Sequence, residues 1–133
     1  MYKIEHSNFA EFKKVCAESY EPGDPEFCED YEFDKLVCDN QIICMIGHLS
    51  GQNDQGETKT FIVGAFTPLT AKHLKVIVKI GNLYLDAISR FPGDIIVESG
   101  NKKFERFAEF FGFKKTLAQV DQNSIMYSTY IRG

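Results

Sequence analysis

A nearly unbroken apolar run at residues 60–66 constrains the fold of this 133-residue chain more than any other feature. A strand that is buried on both faces has such a run, whereas a strand with one wet face alternates. Thr67-Pro68 follows and predicts the start of the longest helix, because proline suits the first turn. Apolar residues recur on one face of that helix and should pack against a sheet: Leu74, Ile77, Val78, Gly81, Tyr84, Leu85 and Ile88. The chain is therefore predicted to be an α/β protein with a buried central strand.

The N-terminal part predicts a strand and two helices. Residues 2–6 alternate weakly between apolar and polar, which indicates a short strand. Ser7 is a candidate cap for a helix that continues to about Tyr20. Asp24 and Pro25 then offer a cap and a first helical position for a second, shorter helix.

A hairpin and a polar loop precede the central strand. Asp39 and Asn40 tolerate positive φ, so they suit a tight turn between strands at residues 36–38 and 41–49. Residues 50–58 are polar and contain glycine, which predicts a solvated loop.

The C-terminal part predicts one more helix among three strands. Residues 94–97 form a short apolar run typical of a buried strand. A helical stripe follows, ended by Gly112 at the position where left-handed backbone is common: Phe104, Phe107, Ala108 and Phe111. Residues 114–120 and 125–131 then predict two strands joined by a polar turn at 121–124.

Composition and charge exclude several classes of protein. The formal net charge of −4 removes any general attraction to nucleic acid or anionic lipid. No apolar run approaches the ~18 residues that a membrane-spanning helix needs. We expect a single domain over residues 1–133 that stays in the cytoplasm of the cell producing it.

The cysteines and histidines predict no metal site. Four cysteines are present without a CxxC pair, so ordinary thiols are the expectation: Cys16, Cys28, Cys38 and Cys44. The histidines His6, His48 and His73 lack the spacing of metal ligands.

The order β-α-α-β-β-β-α-β-α-β-β resembles the GNAT acetyltransferase fold over nearly the entire chain. A local sequence motif, or frame, adds to the resemblance. Its residues fall at the family's spacing: Asn101, Phe107, Gly112 and Phe113. The resemblance implies a mixed, mostly antiparallel central sheet of about seven strands, with helices on both faces. It also implies acetyl-CoA as the cofactor.

Two departures from the family concern its chemistry. Ala108 stands where many members place a tyrosine that protonates the departing thiolate, and alanine has no proton to give. Residues 67–73 hold no glycine, although the family binds the cofactor pyrophosphate with a glycine-rich loop at this place. Thr70, Lys72 and His73 could compensate with hydroxyl and cationic contacts, and the alternative is a capped helix with solvated polar residues.

The resemblance places candidate site residues on two strands and a helix start. The implied cofactor contacts are Val63, Gly64, Ala65, Thr67, Thr70, Lys72, His73 and Asn101. For the amine proton the candidates are Glu98, Ser99 and His48. Their commoner roles are a solvated carboxylate, a helix cap and a hydrogen-bonded strand residue.

A closer likeness is to the small GNAT-like internal virion proteins of short-tailed phages. Asn101, Arg106 and Phe107 carry it, together with a final strand that ends in Ile131-Arg132-Gly133. Two functions remain open. One is a GNAT-fold scaffold that binds a protein in a phage particle or in the host, and the other is an N-acetyltransferase with an unorthodox cofactor loop. A coenzyme A-binding protein without transfer activity lies between them.

Overall fold

The computed structural model describes residues 1–18, 25–52, 54–90, 94–99, 106, 108–122 and 125–132. For residues 25, 27, 98, 99, 115–122 and 125–132 it describes the backbone alone.

Strands and helices follow each other in the predicted order. The strands are β1 Tyr2–Ser7, β2 Glu32–Cys38, β3 Gln41–Gln52, β4 Thr58–Phe66, β5 Asp94–Ser99, β6 Lys114–Gln122 and β7 Ile125–Arg132. The helices are α1 Phe9–Glu18 and α2 Leu74–Ile88, with 3₁₀ turns at Pro25–Cys28 and Thr70–His73. Residues 106 and 108–110 are also helical.

The strands form one hydrogen-bonded sheet in the order β1-β2-β3-β4-β5-β7-β6. β4 and β5 run parallel, whereas the pairs β1–β2, β2–β3, β5–β7 and β6–β7 are antiparallel. The predicted class, a mixed and mostly antiparallel α/β fold, is confirmed. In the part of the chain that the structure describes, no helix is long and apolar enough to cross a membrane.

The chain divides into two compact units, each containing separate stretches of sequence. Residues 1–48 and 64–79 form the first unit, and residues 49–63 and 80–133 form the second. β3, β4 and α2 contribute residues to both units.

In the first unit α1 packs on β2 through aromatic side chains. Phe12 and Val15 are buried, and the ring of Phe12 stacks on that of Phe33 at 4.5 Å between centroids. The prediction that Ser7 caps this helix is wrong, because Asn8 does so. Its side-chain oxygen accepts the N–H of Glu11 at 2.9 Å, which satisfies one of the unpaired donors of the first turn.

The predicted hairpin between β2 and β3 is confirmed. Asp39 and Asn40 have φ of 51° and 63°, the left-handed values that a tight two-residue turn requires. Both strands are longer than predicted, because β2 begins at Glu32 and β3 continues to Gln52. The predicted loop is correspondingly shorter.

The second predicted helix is a single 3₁₀ turn, Pro25–Cys28. Cys28 is completely buried, and its carbonyl accepts the N–H of Tyr31 at 3.0 Å. β2 begins at Glu32, four residues after this turn ends, which leaves no room for the helix to continue.

In the second unit Gly81 of α2 lies against the ring of Phe111. A Cβ atom at Gly81 would lie 2.7 Å from the ring of Phe111, so glycine allows this close approach. Leu85 and Ile88 are buried as predicted. Leu74, predicted on the same apolar stripe, is 45% exposed instead, because the first residue of the helix lies at the end of that stripe, where the core no longer covers it.

Gly112 ends the last helix in the predicted way. Its φ is +91°, and its N–H donates to Glu109 at 3.0 Å while the N–H of Phe113 donates to Ala108 at 2.9 Å. This pair of bonds defines a Schellman motif, in which glycine is favoured because it has no Cβ.

Replacement of Gly112 with alanine should lower the free energy of unfolding by about 1–2 kcal/mol, the cost of left-handed backbone for a residue with a Cβ. No heavy atom lies within 4 Å of the added Cβ, so the cost is one of backbone conformation alone. Urea denaturation of Gly112→Ala measures it. Gly51→Ala is the matched control, since Gly51 is equally open but lies in β3 without positive φ. Equal stability of the two variants would contradict this account.

A charged network joins β1, α1 and β2 in the first unit. Nζ of Lys35 lies 2.9 Å from Glu11 and 3.9 Å from Glu5, and the Ser7 hydroxyl donates to Glu11. The hydrogen bond from Lys35, followed by that from Ser7, lowers the pKa of Glu11 below its ordinary value. The same contact with Glu11 raises the pKa of Lys35.

Because the pKa of Glu11 is lower in the folded state, its contribution to stability is present above the ordinary carboxyl range and is lost as the pH falls below it. Lys35→Met should therefore reduce stability at pH 7 by up to about 1 kcal/mol and by less at pH 3. Thermal unfolding between these pH values measures the difference. Lys13→Met, which breaks a more exposed pair with Glu26, should leave the pH dependence closer to that of the wild type. A loss from Lys35→Met that is independent of pH would contradict the assignment.

Candidate functional site

Residues 67–73 lead into α2, and this segment, called here the helix start or the start of α2, is anchored to the main chain of β3. Thr67 and Thr70 are each only 7% exposed, and their hydroxyls donate to the carbonyl of Ile43 at 2.7 and 3.0 Å. The Thr67 N–H points to the same oxygen at 3.3 Å. Two predicted cofactor contacts are thus brought together on one main-chain acceptor within the fold.

Three further N–H groups at this helix start have acceptors within the chain. The Leu69 N–H donates to the Thr67 hydroxyl oxygen at 3.2 Å, and the Thr70 N–H donates to the Thr67 carbonyl at 3.0 Å. The Lys72 N–H donates to the Leu69 carbonyl at 3.1 Å. Because these donors are used in a 3₁₀ turn, they do not point outward together as the amides of an anion-binding loop do.

The two basic residues of the turn differ in their surroundings. Lys72 is exposed. His73 is half-buried, and its Nδ1 lies 2.6 Å from the hydroxyl of Tyr2, with the two rings in an edge-on arrangement. His73 therefore connects the helix start to β1.

The predicted contacts on β4 are mainly buried. Val63 and Ala65 are 7% and 5% exposed, and Gly64 is half-buried. The parallel ladder with β5 runs from Lys59 opposite Asp94 to Ile62 opposite Val97, and these three residues follow it along β4. The side chains of Val63 and Ala65 belong to the core and Gly64 has none, so any contact with a ligand would come from the backbone.

An ion pair joins β4 and β5 at the first residue pair of their ladder. Nζ of Lys59 lies 3.0 Å from Asp94 and 3.5 Å from Glu57. The hydrogen bond to Asp94 raises the pKa of Lys59. This lysine is therefore a cation that pairs two strands and a poor candidate for a base.

The three residues proposed for proton transfer lie on two strands. His48 is near the end of the predicted part of β3, opposite Glu32 of β2, with its Nε2 3.4 Å from a carboxylate oxygen of Glu32. Glu98 and Ser99 are on β5, opposite Thr129 and Ser128 of β7. The side chains of Glu98 and Ser99 lie outside the described part, so their role stays a prediction.

The GNAT-like frame is described only in part. Asn101 and Phe107 lie outside the described residues. Ala108 is 4% exposed and supplies the carbonyl that accepts the Phe113 N–H, and Phe113 is itself buried. Ala108 therefore serves the packing and termination of the helix, and its methyl group can supply no proton.

Two of the cysteine thiols are poorly suited to nucleophilic chemistry, and the described residues contain no cluster of metal ligands. They contain no group of three or more histidine, cysteine, aspartate or glutamate side chains that could hold a metal ion. Burial raises the pKa of Cys16 to about 11 and that of Cys44 to about 12. Both thiols are protonated near neutral pH and are therefore weak nucleophiles.

Two contributors to this region were missed by sequence reasoning. The Ile43 carbonyl is a main-chain atom, and no residue pattern marks one strand carbonyl as the acceptor for a distant helix start. Tyr2 was assigned only to a strand. Its separation of 71 positions from His73 hides the contact in the sequence.

Comparison with known proteins supports the fold. No family model and no curated protein match the sequence. Among solved structures, Arabidopsis thaliana Naa50 with a bisubstrate CoA analogue has a TM-score of 0.69 and 10% identity, covering 99% of this chain and 98% of its own. Arabidopsis thaliana NAA60 with acetyl-CoA also scores 0.69 at 10% identity, covering 98% and 97%. A GNAT-family protein from Desulfovibrio desulfuricans scores 0.66 at 14%, covering 98% of both chains. The chain therefore has the fold of the GNAT acetyltransferases.

Thr67→Val should lower the free energy of unfolding by about 1–2 kcal/mol, because it removes a buried hydroxyl that donates to Ile43 and accepts from Leu69. Chemical denaturation measures the loss. Thr58→Val is the matched control, a threonine at the half-buried start of β4, where valine suits a strand. Equal stability of both variants would show that the helix start does not depend on this hydroxyl.

Proposed function

We propose that this chain is a GNAT-fold protein that works by binding a protein partner, without transferring an acetyl group. The observation that carries the proposal is the start of α2, where four N–H groups and two hydroxyls have acceptors within the chain. A pyrophosphate needs several unpaired donors that converge on it. Binding one here would require these bonds to break.

The missing proton donor supports the same conclusion. Thiolate departure is assisted by a group that can give a proton in the transition state. Ala108 is buried and bonded into the end of the helix, so no side chain can replace it there without repacking. A chain that has lost both the phosphate loop and the acid keeps the fold without its best-known chemistry.

A partner would find an aromatic side chain on the surface. Phe110 is 67% exposed and stands edge-on to Phe111, with ring centroids 5.7 Å apart. Exposed aromatic residues are enriched where proteins bind one another. The likeness to internal virion proteins suggests a partner in a phage particle or a host protein, met in the cytoplasm of the producing cell, and the acidic net charge argues against nucleic acid.

The alternative is an acetyl-CoA-dependent N-acetyltransferase with an unorthodox loop. It is favoured by the similarity to structures that hold acetyl-CoA or a CoA analogue, and by the exposed Lys72 at the helix start. In that case the strand β4 backbone and Asn101 would hold the cofactor, and Glu98, Ser99 or His48 would take the amine proton. Binding of coenzyme A without transfer is the intermediate case.

Calorimetry and thermal unfolding with acetyl-CoA and coenzyme A separate these functions. A ligand with a Kd of about 10 µM, added at about 1 mM, should stabilise the fold by about 2.7 kcal/mol and raise Tm by several degrees. We expect no heat of binding and no change in Tm. A clear shift with either ligand would contradict the proposal.

If a shift with acetyl-CoA or coenzyme A is observed, variants would show where the ligand binds. If ligand binds, Lys72→Ala should weaken it several-fold whereas Lys14→Ala, an exposed lysine on α1, should not. If acetyl transfer is then measured, Glu98→Gln, Ser99→Ala and His48→Gln identify the proton acceptor by their loss of turnover. Binding that none of the lysine variants alters would place the ligand elsewhere on the chain.

A further inference from the structure

β1 is an edge strand whose second edge has no strand beside it among the described residues. It lies at one end of the sheet order and pairs only with β2. Residues 2–6 are all exposed, and Ile4 is 60% exposed. The register with β2 is continuous over six pairs, so neither a bulge nor a proline interrupts the strand. Such an edge can accept another strand through its main-chain groups.

The side chains on the two sides of Ile4 in β1 carry opposite charges. Lys3 and Glu5 flank it on one face of the strand, and Tyr2 and His6 lie with Ile4 on the other. In an antiparallel pair, residues opposite each other share a face. When two copies of one strand pair about a two-fold axis, the axis therefore lies midway between one residue and the same residue of the second copy. Here an axis at a residue means an axis between the two copies of that residue.

Of the three registers with the axis at Lys3, Ile4 or Glu5, only one avoids placing like charges opposite each other. An axis at Lys3 places two ammonium groups opposite each other, and an axis at Glu5 places two carboxylates opposite each other. An axis at Ile4 places Lys3 opposite Glu5 of the second copy, twice, and pairs the exposed Ile4 side chains. Opposite charges at facing positions stabilise a strand pair and like charges destabilise it. The sequence of this edge therefore selects one register.

We propose that β1 pairs antiparallel with β1 of a second copy of this chain, with the two-fold axis at Ile4. The contact involves one short strand from each copy, so it is smaller than a standard interface and should be weak. The occupant is a second copy because the charge pattern of β1 is complementary to itself. No comparable argument on this edge selects a strand of another protein.

Sedimentation equilibrium of the purified chain and of two charge-reversal variants tests the proposal. The wild type should dimerise with a Kd between about 10 µM and 1 mM. Lys3→Glu places Glu opposite Glu5, and Glu5→Lys places Lys opposite Lys3, so each variant alone should associate at least ~10-fold more weakly. An equimolar mixture should form a heterodimer at least as tight as the wild type, because all of its facing charges are opposite.

Two controls distinguish repulsion between facing side chains from a change in net charge and from a loss of folding. Lys14→Glu changes the net charge as much as Lys3→Glu but lies on the exposed surface of α1, so it should dimerise like the wild type. Glu5 also lies 3.9 Å from Lys35, so circular dichroism and thermal unfolding must show that Glu5→Lys is folded.

Three results would overturn the proposal. A wild type that is monomeric at about 1 mM would leave the edge to a strand of another protein. A dimer that Lys3→Glu does not weaken would use another surface. A mixture no tighter than either variant alone would exclude the register at Ile4.

Discussion

One main-chain carbonyl determines how the longest helix joins the sheet. The oxygen of Ile43 receives two threonine hydroxyls and the Thr67 N–H, all from the segment between β4 and α2. A buried carbonyl must find a donor, and buried threonines must find acceptors. The helix start satisfies both needs at once, which sets its 3₁₀ geometry and leaves the amides of Leu69, Thr70 and Lys72 bonded within the chain.

The segment before α2 is also where the resemblance to the GNAT family implies a phosphate-binding loop, and we propose that fold and chemistry separate at this point. At 10–14% identity the neighbouring structures share the backbone arrangement and little else. A fold is maintained by burial and backbone pairing, whereas acyl transfer needs a few donors at defined positions. This chain has the fold, and at the helix start the hydroxyls of Thr67 and Thr70 are used for bonds to Ile43.

Local patterns predicted most of the fold because they describe nearby atoms. The Asp39-Asn40 turn, the helix end at Gly112 and the apolar strand β4 each follow from residue type and spacing. The cap at Asn8 was missed because Ser7 beside it is an equally good capping residue by type. Burial of Leu74 was mispredicted because periodicity shows which face of a helix is apolar but not how far along the helix the core covers that face. The sequence placed the candidate site residues on strands and at a helix start, and their role stays a prediction. The bonding at the helix start could not be predicted, since Ile43 lies more than twenty residues from its donors.

Amide hydrogen exchange at the start of α2 tests the central claim most directly. The account predicts that the amides of Leu69, Thr70 and Lys72 are protected in the protein alone, because each donates within the chain. It also predicts that their exchange rates and NMR shifts stay unchanged when coenzyme A is added at about 1 mM, a concentration at which a micromolar site would be full. Fast exchange without ligand, followed by protection and shift changes with coenzyme A, would contradict the account and show that this helix start is a phosphate site.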